Sequence, residues 1–450
     1  MSSKQDDKEK KLDGLFDFIE ASPTAFHTVS SVKNVLKEIG GLGLKKHEAW
    51  ELEEGKLYYV STNDSSIIAF RVPEKKIHSF MIAASHSDSP ALKVKPNAQI
   101  ESAGLSLLNV EKYGGMLMAP WFDRPLSLAG RIIIDKSDGR LESRLVDIKR
   151  PLCVIPSLAI HMDRNVNSGH EINMQKEMLP VFADAGAKKD LLKFVTECMG
   201  LNYENDDVKV VADDLYLYDA SPACRCGADE EFILARHLDD LECVYATLKG
   251  FEQACLDMDK TDIMPILAVF DNEEVGSMSK QGADSAFLYE TIARICEKLG
   301  LSKEDYSKIL ASSFMASCDN AHAAHPNYPE KADPVNRPKM NGGIVVKYSA
   351  NQKYTTDALS KAIFHKICQA AQVDYQEFTN RSDMIGGSTL GNISNSHISL
   401  NTVDIGLAQL AMHSSMEMAG SEDLKDLITF SEKFFKTKIT NLEESNYIVE

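Results

Sequence analysis

Two histidines and a group of carboxylates recur in one kind of place along this chain. His86, Asp239, the pair Glu273-Glu274, Asp319 and His413 each fall at or just beyond an expected strand, or at the start of the helix that follows one. In open α/β sheets, ligands bind in the crevice outside the carboxyl ends of the strands, so groups distant in sequence can meet there. Singly, each is an ordinary polar residue. Together they form a donor set suited to divalent cations, and a mixed imidazole and oxygen set fits Zn, Co or Mn. In a strand, residues i and i+2 share a face, so Asp88 can reach the ring nitrogen of His86 that points away from a metal and fix its tautomer. Adjacent Glu273 and Glu274 point differently, so one can bind metal while the other handles the proton of a water. Two ions about 3.5–4 Å apart that share a carboxylate make a hydrolytic arrangement.

The elements around these residues point to a split α/β domain. The first ten residues read as a solvated tail. Leu12, Leu15, Phe16 and Ile19 then repeat at helical spacing, and Val32, Val35, Leu36 and Ile39 mark a second helix. Strands are expected at 56–60, 66–72 and 79–84. From 92 to 229 the texture becomes β-rich, with short alternating segments at 92–94, 105–110, 126–134, 140–147, 152–155 and 208–218 and one helix at 189–199. After residue 230 strands alternate with helices. Apolar strands are expected at 231–235, 264–270, 310–316, 343–348 and 398–405, and continuous apolar strands suit a sheet covered on both faces. The expected architecture is therefore a three-layer α/β domain formed by 1–91 and 230–450, with 92–229 inserted as a β-rich domain.

Composition narrows the function classes. The chain has 450 residues, 44% hydrophobic and 26% charged, which suits a packed core. Lys and Arg number 49 against 67 Asp and Glu, a net charge of −18. That balance argues against nucleic acid and against anionic membranes as partners. Nine cysteines, an odd number, are too sparse in this length for a disulfide scaffold. Cys224 and Cys226 form a CxC pair with no second pair at metal-site spacing. The charged stretch from Met1 to Leu12 lacks the apolar core of a signal peptide, and no apolar run approaches the ~18 residues of a membrane span. A cytoplasmic location is expected.

Four blocks carry a family resemblance. They are Ala84-Ser85-His86-Ser87-Asp88-Ser89-Pro90, Phe270-Asp271-Asn272-Glu273-Glu274-Val275-Gly276-Ser277, Asp319-Asn320-Ala321-His322-Ala323-Ala324-His325-Pro326-Asn327-Tyr328 and Ala411-Met412-His413-Ser414. In this order they resemble the aspartyl aminopeptidase family of large dinuclear zinc exopeptidases, which includes a vacuolar leucine-preferring type. The resemblance implies a zinc-exopeptidase-like fold with 1–91 and 230–450 as the catalytic domain, 92–229 as an oligomerisation or lid domain, and two divalent ions per subunit, Zn first, with Co or Mn possible. His86 and Asp319 would hold one ion and Glu274 and His413 the other, with Asp239 shared. Glu273 would be the general base toward a bridging hydroxide, and Asp88 would orient His86. The family usually reads Arg-Leu-Asp-Asn-Leu around the shared aspartate. Here Arg236-His237-Leu238-Asp239-Asp240-Leu241 inserts a His and replaces the Asn, so Asp240 is a rival to Asp239.

Substrate selection rests on the resemblance too. It implies peptide substrates with N-terminal Asp or Glu, read by Lys347. Gly387 and Ser388, in Gly386-Gly387-Ser388-Thr389, would line the pocket, since a glycine turn before a helix can present N–H groups to an anion. His161 would reach a neighbouring subunit's site. The family's tetrahedral homododecamer, with sites facing an enclosed chamber, is the implied assembly. Composition alone reads Lys347 as a solvated strand-end residue, the glycine loop as a tight turn and His161 as a surface residue. The rival functions are a neutral or leucine-preferring aminopeptidase, a metallo-deacylase or dipeptidase on the same metal set, and a non-catalytic assembly protein.

Overall fold

Four parallel strands with almost wholly buried side chains form the spine of the molecule. In spatial order they are Ile263–Phe270, Ser79–His86, Phe314–Cys318 and Asn401–Gly406. The computed structural model describes residues 2–201, 209–258, 260–384 and 386–450, without the side chains of 2–8. Among the described residues the spine sits in a nine-stranded mixed sheet. Leu42–Leu44, Leu57–Thr62 and Ser66–Arg71 extend one side, and Ile344–Tyr348 and Tyr375–Thr379 the other. A strand buried on both faces suits a continuous apolar run, which Ile-Met-Pro-Ile-Leu-Ala-Val-Phe at 263–270 supplies.

Each face of the sheet has its own apolar layer. Leu241, Val244, Leu248 and Phe251 of helix Leu238–Asp257 pack with Leu427, Phe430 and Phe434 of helix Asp423–Lys436 against one face. Helix Phe287–Lys298 packs Phe287, Ile292 and Ile295 with Trp50 and Ile309 against the other. The result is a three-layer α/β sandwich. A second sheet, all antiparallel, orders Leu141–Asp147, Leu126–Asp135, Lys209–Asp219, Ala91–Ser102, Leu105–Tyr113 and Val181–Asp184. It has a separate core of residues such as Leu108, Trp121, Leu128, Ile132 and Leu215. A smaller sheet joins Cys224–Cys226, Phe232–Ala235, Glu417–Gly420, Ala408–Leu410 and Ala321–His322.

Several expectations need correction. The N-terminal helix spans Ser2–Glu20, so residues 2–10 are not a tail outside it. The stretch 310–316 is not one strand. Ser302 and Asp305 form a reciprocal capping box that starts a helix at Lys303–Ala311, and the strand begins only at Phe314. The strand expected from 398 begins at Asn401. Residues 152–155 make only isolated bridges, to Leu126, Phe122 and Val181. Val208, at the head of the strand expected at 208–218, lies outside the described residues.

No helix among the described residues is long and apolar enough to cross a membrane. All nine cysteines are free thiols, and Cys153, Cys243, Cys296, Cys318 and Cys368 are buried.

Candidate metal centre

The parallel spine brings its carboxyl ends to one edge, and the candidate ligands gather there. His86 is the last residue of Ser79–His86. Glu273 and Glu274 follow Ile263–Phe270 in a single tight turn, and Asp319 follows Phe314–Cys318. Asp239 comes from the first turn of Leu238–Asp257, where its own backbone is not helical (φ −84°, ψ 106°). His413 comes from the loop between Ala408–Leu410 and Glu417–Gly420. Gly406 makes room for this edge. A Cβ there would collide with the carbonyl oxygen of Asp319.

Asp239 lies between the two histidines. Its Oδ1 is 3.4 Å from His86 Nε2 and its Oδ2 is 3.4 Å from His413 Nε2. On the first side, Asp319 Oδ1 stands 3.9 Å from the same His86 nitrogen. On the second, Glu274 Oε2 is 3.3 Å from His413 Nε2. Ligand atoms of His86, Asp239, Asp240 and Asp319 all fall within 4.8 Å of one another, as do those of Asp239, Glu274 and His413, and those of His86, Glu273 and Glu274. Asp240, fully buried, turns Oδ2 to the main-chain N–H of His86 at 3.1 Å and stands 4.0 Å from His86 Nε2.

The electrostatics of this edge call for cations. Burial opposes charge on His86, but Asp240, Asp239, Asp319 and Asp88 together raise its pKa well above the ordinary histidine value. Burial likewise opposes charge on His413, yet Asp239 and Glu274 lift it to about 10. Glu274 is driven well above the carboxylate range, by burial first and then by Asp239. Among the described residues, Asp239 Oδ1, Asp240 Oδ1 and Glu274 Oε1 are buried with no hydrogen-bond partner. A buried acceptor left unpaired is costly, and buried carboxylates are stable when paired or bound to metal. These residues therefore fit divalent cations, which would take the place of the protons.

A second ring of contacts holds the ligands. His86 Nδ1 hydrogen-bonds the main-chain oxygen of Asp88 at 3.0 Å, while the Asp88 carboxylate stands off at 3.5 Å. That carboxylate instead accepts the N–H groups of Glu273 and Glu274, at 3.1 and 3.2 Å, and the hydroxyl of Tyr113 at 2.7 Å. Asp88 thus meets His86 through its main-chain oxygen and the glutamate turn through its side chain. His413 Nδ1 is fixed by the carbonyl of Gly115 at 2.9 Å. Glu417 accepts the main-chain N–H groups of both Asp239 and His413. Tyr113, Gly115 and Glu417 were not singled out in the sequence. Glu417, an acid four residues after His413, was the one visible signal.

The expected substrate residues are placed differently. Lys347 is buried, with Nζ 3.2 Å from Asp319 Oδ2, 2.7 Å from Asp319 O and 3.3 Å from Asn320 O. It is not a solvated strand end. Its ammonium also lies 5.3 Å from the Tyr354 ring centroid. His161 is exposed in a turn, Gly387 is exposed, and Ser388 directs its hydroxyl to Asn392 Oδ1 at 2.9 Å. Among the described residues these three stand outside the ligand cluster.

Comparison with known proteins identifies the family. Residues 18–435 match the family described as aminopeptidase I zinc metalloprotease (M18). The chain is 44% identical over 425 residues to a probable M18 family aminopeptidase 2 of Clostridium novyi (strain NT), covering 92% of this chain and 96% of that one. Its fold is similar to the chain in the cryo-EM structure of the Ape4 and Nbr1 complex, with a TM-score of 0.91, 35% identity, and coverage of 95% and 86%. It is also similar to the S. cerevesiae mApe1 dodecamer, with a TM-score of 0.84, 26% identity, and coverage of 96% and 97%. The chain belongs to the M18 family of zinc metalloproteases and is an aminopeptidase.

Proposed function

We propose that this edge holds two divalent cations, zinc first with cobalt or manganese as substitutes, and that the enzyme uses them to remove N-terminal Asp or Glu from peptides. His86 and Asp319 would hold one ion, Glu274 and His413 the other, and Asp239 both. The observation that carries this reading is the division of Asp239, which turns one oxygen to each histidine. When bound, such ions polarise the scissile carbonyl and bring the pKa of water toward neutrality. Glu273 is the proton carrier. Burial, with Asp319, Asp88 and Asp239 adding and His86 opposing, pushes its carboxyl up to about 8. That value belongs to the cation-free site; bound cations would oppose the shift and leave Glu273 as a carboxylate able to take a proton from the attacking water and return it to the leaving amine. Asp88 holds the N–H groups of Glu273 and Glu274 and so fixes the turn from which both carboxylates project.

The acidic preference rests on the buried positive charge of Lys347. One observation favours the neutral, leucine-type alternative: all three Lys347 N–H donors already have acceptors within the protein. The dodecamer among the structures this chain is similar to supports a closed homo-oligomer. In it, His161 would act at a neighbour's site, and 92–229 would serve as the inserted assembly domain on the split catalytic domain 1–91 and 230–450. Nine unpaired thiols support a cytoplasmic setting.

The test is a hydrolysis panel on the zinc-loaded protein with peptides beginning in Asp, Glu, Leu or Lys, beside a chelated sample. Cleavage led by Asp and Glu and abolished by chelation is expected. A profile led by Leu would move the assignment to the neutral type, and no cleavage of any peptide would overturn it.

A further inference from the structure

Glu417 is almost fully buried at the start of strand Glu417–Gly420, opposite Ala235 of Phe232–Ala235. Its Oε2 accepts the main-chain N–H of Asp239 at 3.0 Å, and its Oε1 accepts that of His413 at 2.6 Å. A single carboxylate therefore ties together the two residues whose side chains face each other at 3.4 Å. Neither backbone is held by regular structure. Asp239 leaves the helical region inside a helix, and His413 sits at φ +66°, a left-handed conformation that a side chain disfavours. Hydrogen bonds from main-chain N–H to a buried carboxylate are among the stronger ones.

We propose that Glu417 is a positioning residue for the metal centre. It sets the separation of Asp239 from His413 and thereby the affinity for the ion on the Glu274–His413 side. The inference rests on the two-ion reading above. Glutamine at this position keeps the shape but offers one acceptor, and its amide N–H₂ would face the other N–H. Aspartate keeps the charge and both oxygens but is one methylene too short to reach both N–H groups at once.

The experiment titrates Co²⁺ into the metal-free, full-length protein, followed by calorimetry and by visible d–d absorption, with thermal melts of the metal-free forms beside it. The wild type is expected to bind two equivalents. Glu417→Gln and Glu417→Asp are expected to keep the first step and to bind the second equivalent at least tenfold more weakly, with altered absorption and a metal-free melt that still shows a cooperative transition. Two unchanged steps in Glu417→Gln would overturn the proposal while leaving the two-ion reading in place. A wild-type second step in Glu417→Asp would overturn it as well, by showing that charge and not reach is what matters. A single equivalent in the wild type would overturn both readings.

Discussion

Replacing Lys347 with Met separates the two things this lysine can do. Its ammonium has three N–H donors and three acceptors, Asp319 Oδ2, Asp319 O and Asn320 O, in a site 2% exposed. The substitution leaves the Asp319 carboxylate and two carbonyls without their partner. Breaking one side of a buried ion pair costs about 3–5 kcal/mol, so the metal-free protein should melt at a lower temperature. A cation on Asp319 would offset part of that loss. Selectivity has a separate magnitude. With its donors occupied, Lys347 can act on a substrate carboxylate only through its field. At about 6 Å and an effective dielectric of about 20, that field is worth about 3 kcal/mol, or about 100-fold in kcat/KM. The assay compares kcat/KM for otherwise identical peptides beginning in Asp and in Leu. The Asp-to-Leu ratio should fall by about 30- to 100-fold in Lys347→Met. If both substrates fall together and the ratio stays put, Lys347 serves Asp319 alone and the selector argument is refuted.

Other perturbations probe the remaining roles. Glu273→Gln should lower turnover by about 10²–10⁴-fold with metal content unchanged by elemental analysis; loss of metal would make Glu273 a ligand instead. Asp240→Asn keeps an acceptor for the His86 N–H and should retain both ions, whereas Asp239→Asn should lose at least one; the reverse result would make Asp240 the shared ligand. His27 is predicted to make stability depend on pH. Burial holds its pKa down to about 4, with Asp147 opposing and Lys149 adding. The unfolded chain therefore binds more protons between about pH 4 and 6.5. Stability is full above that window and declines as pH falls through it, by up to about 3 kcal/mol. Denaturant titrations of His27→Gln should show a shallower acid decline, and parallel curves would contradict this.

What could be read in advance follows the physics of each element. His86, Glu273, Glu274 and Asp319 stand at the ends of apolar strands, and an apolar run that stops at an ionisable residue marks a sheet edge. Residues 310–316 misled because Leu310 and Phe314 look like one strand. The competing signal was local, the Ser302 and Asp305 capping box. The choice between Asp239 and Asp240 lies beyond pattern, because adjacent residues differ in direction only through backbone angles. Lys347 looks like an edge residue until Asp319 and Asn320 are folded over it. Tyr113 and Gly115 act on partners far away in sequence, so only the tertiary pairing reveals them, and Glu417 has one partner nearby, His413, and one distant, Asp239.

The most direct measurement is an anomalous-difference map from crystals of the zinc-loaded protein, collected on both sides of the zinc edge. Two peaks about 3.5–4 Å apart are predicted. One should be bounded by His86 and Asp319, the other by Glu274 and His413, with a carboxylate oxygen of Asp239 on each. A single peak, or two peaks joined by Asp240 with Asp239 turned away, would contradict the shared-aspartate centre.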